Sequence, residues 1–292
     1  MAQDKWLIQP GETKTIDVEV VRSLKVGFIG GQIDIIGHDE RGARIEVHSV
    51  SGRDLKIVVD GDRLEIDHPQ LRWDNFIEVF KTMRSSAKAD VSVMVPRDVA
   101  LKFGVVSANA LVSGLTTDAK LSTVSGDVVV DDVTGDLELN SVNGELSARN
   151  HRGRIVAHTV SGDVTATGDI PKFSVDGVSG DVMVDITGTP DEISSNTVSG
   201  DLTVRIPEAL GARYQVNTVS GKMQLDSASM RTSPGRTVSG TTGSLDGTWV
   251  EINANSVSGS VSVLRSTGAH QGAADQHTTE QASADQGQEA SA

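Results

Sequence analysis

The sequence predicts an all-β fold: a right-handed β-solenoid, similar to a parallel β-helix, with two main strands in each coil of 18–21 residues. Three observations predict it. A tetrapeptide recurs at a steady interval, the residues between its copies alternate between apolar and polar, and the composition suits a thin aliphatic core. The tetrapeptide Thr-Val-Ser-Gly starts at Thr123, Thr159, Thr197, Thr218 and Thr237. Such a period is typical of one supersecondary unit stacked on itself.

The glycine that ends each copy sets the length of a coil. With three near-copies of the motif included, the structural repeat glycines are Gly126, Gly144, Gly162, Gly180, Gly200, Gly221, Gly240 and Gly259. Successive glycines are 18–21 residues apart, and the chain read in nines from Thr123 again places a glycine fourth. Each nonamer is therefore predicted to be one strand and one corner, and the coils are predicted to stack in chain order at roughly 4.8 Å.

Alternation within a nonamer predicts the core. Val124, Val128 and Val130 are two or four residues apart, so a pleated strand would point them to one face. Gly126 would lie on that face, at a bend where no side chain has room. The chain has 30 glycines and is 37% hydrophobic but only 3% aromatic, which predicts a core of Val, Ile and Leu. The usual hand of parallel crossovers predicts right-handed coils.

The chain of 292 residues divides into three regions by pattern. Residues 1–100 alternate less regularly, in runs such as 15–20 and 91–95, and are predicted to be strands continuous with the solenoid. Residues 101–265 are the solenoid repeats. Residues 266–292 lack Val, Ile and Leu, which predicts a disordered polar tail.

Charge and apolar runs restrict partners and location. The net charge of -14 argues against nucleic acid and against broad adsorption to anionic lipid. The first 20 residues hold no apolar run of signal-peptide length, and no run anywhere is long enough for a transmembrane segment. The expectation is a cytoplasmic protein, or one associated with the envelope through a partner. The absence of cysteine excludes disulfides, thiolate catalysis and cysteine zinc sites.

One aromatic segment interrupts the pattern. Trp73, Phe76, Ile77 and Phe80 follow the spacing of one face of a short helix. A cap over exposed strand edges of the solenoid is the favoured interpretation of residues 72–84. A docking element for a partner or a membrane surface is the alternative.

Acidic residues follow many of the repeat glycines. They are Asp127, Asp136, Glu145, Asp163, Asp181 and Asp201. Stacked carboxylates are similar to calcium-binding β-roll repeats, but those repeats require Gly-Gly-x-Gly-x-Asp, and here a single glycine precedes each acid. The acids are therefore predicted to be structural, and neither a metal nor a cofactor is expected.

An enzymatic site has no support in the sequence. Polysaccharide-cleaving β-helices carry two or three acidic groups in a cleft built on long loops, whereas these coils deviate from the period by only two or three residues. The seven histidines show no ligand spacing. The chain is predicted not to be an enzyme.

These features resemble a known family. They are the run Gly30-Gly31-Gln32-Ile33-Asp34-Ile35, the step Val93-Met94-Val95-Pro96 before Val99, and the serial Thr-Val-Ser-Gly-Asp-Val. Over roughly residues 15–264 the chain resembles the bacterial putative-adhesin family of β-strand-repeat proteins, a domain of unknown function. The resemblance implies a β-solenoid with a non-enzymatic role at the surface or envelope, in some relatives linked to envelope stress.

The function expected from the sequence is a non-catalytic, adhesin-like binding or scaffolding rod. Two alternatives remain open. One is a structural protein that self-associates end to end, as bactofilins do, and exposure of Val257, Val261 and Val263 at the edge of the last coil would permit it. The other is a carbohydrate-active enzyme, which an acidic cleft built on loops would indicate.

Overall fold

The computed structural model describes residues 3–68, 87–225, 230–232 and 237–266, and every regular element in these ranges is a β-strand. Most of the strands pair in parallel as successive coils. The predicted fold class, an all-β solenoid, is therefore confirmed.

The amino-terminal region is a mixed arrangement that covers one end of the parallel stack. Its strands are β1 (Gln3–Ile8), β2 (Lys14–Val18), β3 (Ser23–His38), β4 (Ala43–Ser51), β5 (Leu55–Asp60), β6 (Arg63–Asp67) and β7 (Lys88–Pro96). β1 pairs with β5, β2 with β4, β4 with β7, and β5 with β6, all antiparallel. β3 is parallel to β6 and β7. It is also parallel to the strand at residues 100–113, which follows β7, so β3 joins this region to the solenoid.

The central coils form two columns of parallel strands. They are built from β8 (Ala100–Ser113), β9 (Ala119–Thr123), β10 (Val128–Asp131), β11 (Leu137–Ser141), β12 (Leu146–Arg152), β13 (Ile155–Thr159), β14 (Val164–Asp169), β15 (Lys172–Gly177), β16 (Val182–Ile186), β17 (Glu192–Thr197) and β18 (Leu202–Pro207). Odd strands from β9 to β17 form one column and even strands from β10 to β18 form the other; β8 starts both. Leu137 lies opposite Ile155, and Val164 opposite Val182, one coil of 18 residues later.

Two inward positions of each strand fill the core. Leu121, Leu139, Ala157 and Val175 stack in the odd column and are all buried. The even column stacks residues such as Val130, Ala148, Ala166 and Val184. β-branched and small aliphatic side chains fit this narrow space between two parallel columns.

The predicted place of Val124 is wrong. β9 ends at Thr123 and β10 begins at Val128, so residues 124–127 are a corner and not a continuous strand. Val128 and Val130 are buried as predicted, whereas Val124 is only partly buried. The alternation of a strand does not continue through a turn of the backbone, and Val124 lies on the outside of the corner.

The predicted order of the last coils is also wrong. The remaining strands are β19 (Gly211–Thr218), β20 (Met223–Leu225), β21 (Met230–Thr232), β22 (Thr237–Thr242), β23 (Trp249–Ser256) and β24 (Val261–Ser266). β23 is parallel to both β17 and β19, and β24 to both β18 and β20. We call residues 249–266 the inserted coil and residues 211–225 the end coil, because the former lies between the latter and residues 192–207.

The end coil carries antiparallel strands. β22 pairs antiparallel with β19, and β21 with β20. Gly240 lies in β22 opposite Tyr214, so it is not at a corner between two stacked coils. Its Thr-Val-Ser-Gly motif, which predicts a further corner, is used in a strand that lines the end coil.

Two predicted features lie outside the described residues. They are the aromatic segment with Trp73, Phe76, Ile77 and Phe80, and residues 267–292 of the predicted tail 266–292, whose first residue, Ser266, is the last residue of β24. The choice between a cap and a docking element at residues 72–84 stays a prediction.

Candidate functional site

At most corners the hydroxyl of the first motif residue closes the turn from inside. The Thr159 hydroxyl donates to the Gly162 carbonyl oxygen at 3.0 Å and accepts from the Gly162 backbone N–H at 2.9 Å. Thr123 does the same for Gly126, at 2.8 and 3.0 Å. Because these hydroxyls are buried, each depends on the glycine three residues later for its hydrogen bonds. A Thr or Ser three residues before the glycine is the sequence signal for this turn. Gly180 lacks the signal, because Gly177 occupies that position.

The glycines allow the corners of successive coils to touch. A Cβ on Gly162 would collide with the carbonyl oxygen of Gly144, and one on Gly144 with that of Gly126. The series continues through Gly180 and Gly200. After Gly200 comes Gly259 and only then Gly221, which follows the inserted order of the coils. The space is filled by the backbone of the neighbouring coil, whereas the sequence pattern indicated crowding inside the core.

The acidic residue after the glycine holds the next coil. Oδ1 of Asp163 accepts from the Asp181 N–H at 2.8 Å, and Oδ1 of Asp181 accepts from the Asp201 N–H at 2.8 Å. Asp201 in turn accepts from the Ser260 N–H of the inserted coil at 2.8 Å. The motif serine makes a similar bond in the opposite direction, since the Ser161 hydroxyl donates to the Val142 carbonyl oxygen at 3.2 Å. Both side chains therefore join coils.

We expect calcium to leave the thermal unfolding of this protein unchanged. The repeated carboxylates already accept backbone amides, and the described residues contain no group of three or more His, Cys, Asp or Glu side chains placed to hold a metal ion. The measurement is the melting temperature with millimolar calcium, with EDTA as the control. A rise of several degrees on adding calcium would overturn the structural role of the acids.

The valine side chain of each corner motif makes no such bond, whereas Val238 is buried in β22. Val142, Val160, Val178, Val198 and Val257 are 40–50% exposed, and Val219 is 67% exposed. Since the coils stack in register, these side chains follow one another along one edge of the solenoid. We call Val124, Val142, Val160, Val178, Val198, Val257 and Val219, in their order along the stack, the valine ridge. Sequence analysis missed it because the alternation assigned the motif valine to the core.

A row of polar side chains, which we call the polar row, runs beside the ridge on the odd column. Its members, in stack order, are Ser122, Asn140, His158, Asp176, Asn196, Asn255 and Asn217. The amide of Asn196 donates to Asp176 at 2.9 Å, Asn255 donates to Asn196 at 2.8 Å, and Asn217 donates to Asn255 at 2.7 Å. These hydrogen bonds between coils hold the side chains from Asp176 to Asn217 in fixed positions.

Grooves lie between the ridge and this polar row. One of about 580 Å³ is lined by Val124, Val142, Val160 and the side chains next to them, and one of about 590 Å³ by Val198, Val257 and Val219 with theirs. Each groove thus has one apolar wall and one polar wall. The polar wall consists of amides and hydroxyls, with His158 and Asp176 in addition in the first groove. Such a surface matches an extended partner with an apolar, uncharged face.

Two buried histidines lie elsewhere in the fold. His68, at the end of β6, accepts from the Ile29 N–H through Nδ1 at 3.3 Å, and its ring meets Phe28 edge-on at 5.4 Å. Burial, assisted by the charge of Arg53, lowers the pKa of His68 to about 4. Burial also lowers the pKa of His151 in β12. Neither ring reaches the valine ridge, so neither belongs to the candidate site.

No helix in the part of the chain that the structure describes could cross a lipid bilayer. No curated protein matches the chain by sequence.

Solved structures with a similar fold are known. One, described as a putative lipid binding protein from Parabacteroides distasonis, has 14% identity and a TM-score of 0.50, and the match covers 88% of this chain and 98% of that one. A putative adhesin from the same species has 15% identity and a TM-score of 0.45, and the match covers 89% of this chain and 97% of that one. Another putative adhesin, from Bacteroides fragilis, has 14% identity and a TM-score of 0.42, and the match covers 89% of this chain and 100% of that one. At these identities the likeness extends to the fold alone.

The profile of one protein family matches residues 21–264, from the antiparallel region to the end of the inserted coil. This span includes the repeat glycines, the polar row and the valine ridge. The chain belongs to the Toastrack DUF4097 family.

Proposed function

We propose that this protein is a non-catalytic binding rod whose recognition surface is the valine ridge with the polar row beside it. One observation carries the proposal. At the corners between stacked coils, as at residues 159–163, the Thr, Ser, Gly and Asp of the motif hold the corner or the next coil, while the valine side chain is exposed and has no structural partner. A regular row of exposed apolar side chains is typical of an interaction surface.

The dimensions favour an extended partner. Seven valines at the strand spacing of ~4.8 Å give a ridge about 29 Å long. The adjacent row offers mostly amides and hydroxyls, and the net charge of -14 disfavours anionic ligands. A protein or lipid face that is apolar and uncharged meets these conditions. The description of a similar structure as a putative lipid binding protein is consistent with such a partner.

End-to-end assembly is less well supported. β21 and β22 cover the parallel edges of the end coil, and β1–β7 cover the other end of the stack. Val261 and Val263 are 1% and 0% exposed because the inserted coil has neighbours on both sides. Val257 is exposed, but on the ridge. Covered edges oppose the addition of another solenoid.

Site-specific photocrosslinking tests the proposal. A photoreactive amino acid at Val160 or Val198 is expected to capture a partner in bacteria that produce this protein. Met183 is the matched control, because it is also apolar and is 40% exposed on β16 in the even column, away from the ridge. Equal capture from Met183 and the ridge, or none from the ridge, would contradict the proposal.

Association with the cell envelope through this partner belongs to the same proposal. Fractionation of the producing bacterium is expected to recover the protein with the envelope. Replacement of Val160 and Val198 by Thr, which keeps the branched shape but adds a hydroxyl, should release it. Retention of the variant in the envelope fraction would show that the ridge does not carry the association.

A further inference from the structure

The inserted coil enters the stack out of chain order. The chain completes the end coil at Leu225, forms β21 and β22, and then returns to place β23 and β24 between the end coil and residues 192–207. β23 and β24 are thus paired on both edges with strands made earlier. A slot one coil wide must therefore stay open, or reopen, until residues 249–266 have been made.

The slot recognises its occupant by contacts on both sides. The Arg265 guanidinium donates to the Thr242 hydroxyl at 2.9 Å and to the Pro207 carbonyl oxygen at 3.3 Å, and it also contacts the Leu210 carbonyl oxygen. At the other end of the coil, the Arg213 guanidinium lies 4.5 Å from the centre of the Trp249 ring. These contacts depend on the sequence of residues 249–266 and not on which chain supplies them.

A short connection leads into the inserted coil. Residues 243–248 link β22 to β23, and Gly243 and Gly247 there have positive φ angles of 72° and 109°. Six residues extended at roughly 3.3 Å each span about 20 Å. Such a connection can adopt an alternative path, as hinge loops do in proteins that exchange elements between copies.

We propose that the slot also accepts the inserted coil of a second copy of this chain, which gives a dimer by reciprocal exchange of residues 249–266. Each slot then holds the same contacts as in the single chain, and only the connection at 243–248 changes path. The dimer places two valine ridges in one molecule, which raises the strength of binding to an extended partner by avidity. The exchange itself does not depend on the proposed function.

Introduced cysteines test the exchange directly, since the natural chain has none. Ser194 of β17 lies opposite Asn253 of β23. Adjacent strands are ~4.8 Å apart, within the range of about 4.4–6.8 Å that a disulfide spans between Cα atoms. The full-length variants Ser194→Cys and Asn253→Cys are unfolded together in urea, refolded as a mixture and oxidised. A Ser194→Cys/Asn253→Cys double variant, refolded when dilute, tests the pairing within one chain.

The expected result is a covalent dimer from the refolded mixture, lost on reduction, and an internally crosslinked monomer from the double variant. Ser262→Cys replaces Asn253→Cys in the control mixture, because Ser262 lies in β24 opposite Thr203 and Gln224 and not near Ser194. The proposal fails if the matched mixture gives no more dimer than the control. Failure of the double variant to crosslink would refute the insertion itself.

Discussion

Replacement of Gly162 by Val is expected to lower the free energy of unfolding by about 3 kcal/mol or more. The new Cβ would collide with the carbonyl oxygen of Gly144, which belongs to the backbone of the preceding coil and cannot rotate away as a side chain would. Any shift of that backbone also disturbs the bond that the Ser141 hydroxyl donates to the Gly144 carbonyl oxygen. Urea denaturation of the natural protein and of the Gly162→Val variant measures the loss of stability.

Asp163→Asn is the matched control at the next position. Oδ1 of Asp163 accepts from the Asp181 N–H, and an Asn side chain retains such an oxygen. The chain shows this use of Asn at the first rung, where Oδ1 of Asn109 accepts from the Asp127 N–H at 3.1 Å. The control should change stability by less than about 0.5 kcal/mol. A larger loss from Asp163→Asn than from Gly162→Val would refute the assigned roles of the two residues.

Acid is expected to destabilise the fold through His68. The pKa of this residue falls from 6.5 to about 4 on folding, so the unfolded chain binds its proton first as the pH decreases. The contribution of the neutral ring is complete above pH 6.5 and is lost as the pH falls toward 4. A difference of this size corresponds to roughly 3 kcal/mol. Protonation would also remove the acceptor for the Ile29 N–H and place a second positive charge near Arg53.

The variant His68→Phe separates this effect from the titration of carboxylates. Phe keeps an aromatic ring beside Phe28 and cannot bind a proton. It should be less stable than the natural protein at pH 7, because the Ile29 N–H loses its acceptor, but it should lose less stability between pH 7 and pH 4.5. Urea unfolding of both proteins at the two pH values measures the difference. Equal losses would exclude His68 as the acid-sensitive group.

The repeat predicts the fold because each motif residue has a local task that recurs. Gly162 is needed wherever two corners touch, and the same requirement returns at Gly144 and Gly180. The order of the last coils was not predictable in this way. The end coil and the inserted coil carry nearly identical corners, at Thr218 and Ser256, so either could follow residues 192–207 by its motif alone. Their order depends on contacts distant in sequence, such as those of Arg265 with Tyr214 and Thr242.

The candidate site was hidden by the same regularity. Val160 and Val164 are four residues apart, so a continuous strand would place them on one face. The turn between Thr159 and Gly162 instead points Val160 outward and Val164 into the core. A Thr or Ser three residues before a glycine indicates a turn, and the residue directly after the Thr or Ser is then expected to point outward. Applied to each copy, this rule would have predicted most of the valine ridge. It fails at Val178, which follows Gly177, and at Val238, which follows Thr237 but is buried in β22. It would not have predicted that Val257 precedes Val219 along the ridge.

The most direct test of the account is to change the ridge and measure folding and capture on the same protein. The triple variant Val160→Thr, Val178→Thr and Val198→Thr keeps the branched shape of three side chains that are 48–50% exposed. Each added hydroxyl should weaken binding to an apolar face by about 1 kcal/mol, so capture through a photoreactive group at Val142 should fall roughly 100-fold. We expect that fall together with an unchanged urea midpoint. Undiminished capture by the folded variant would contradict the claim that the valine ridge is the binding surface.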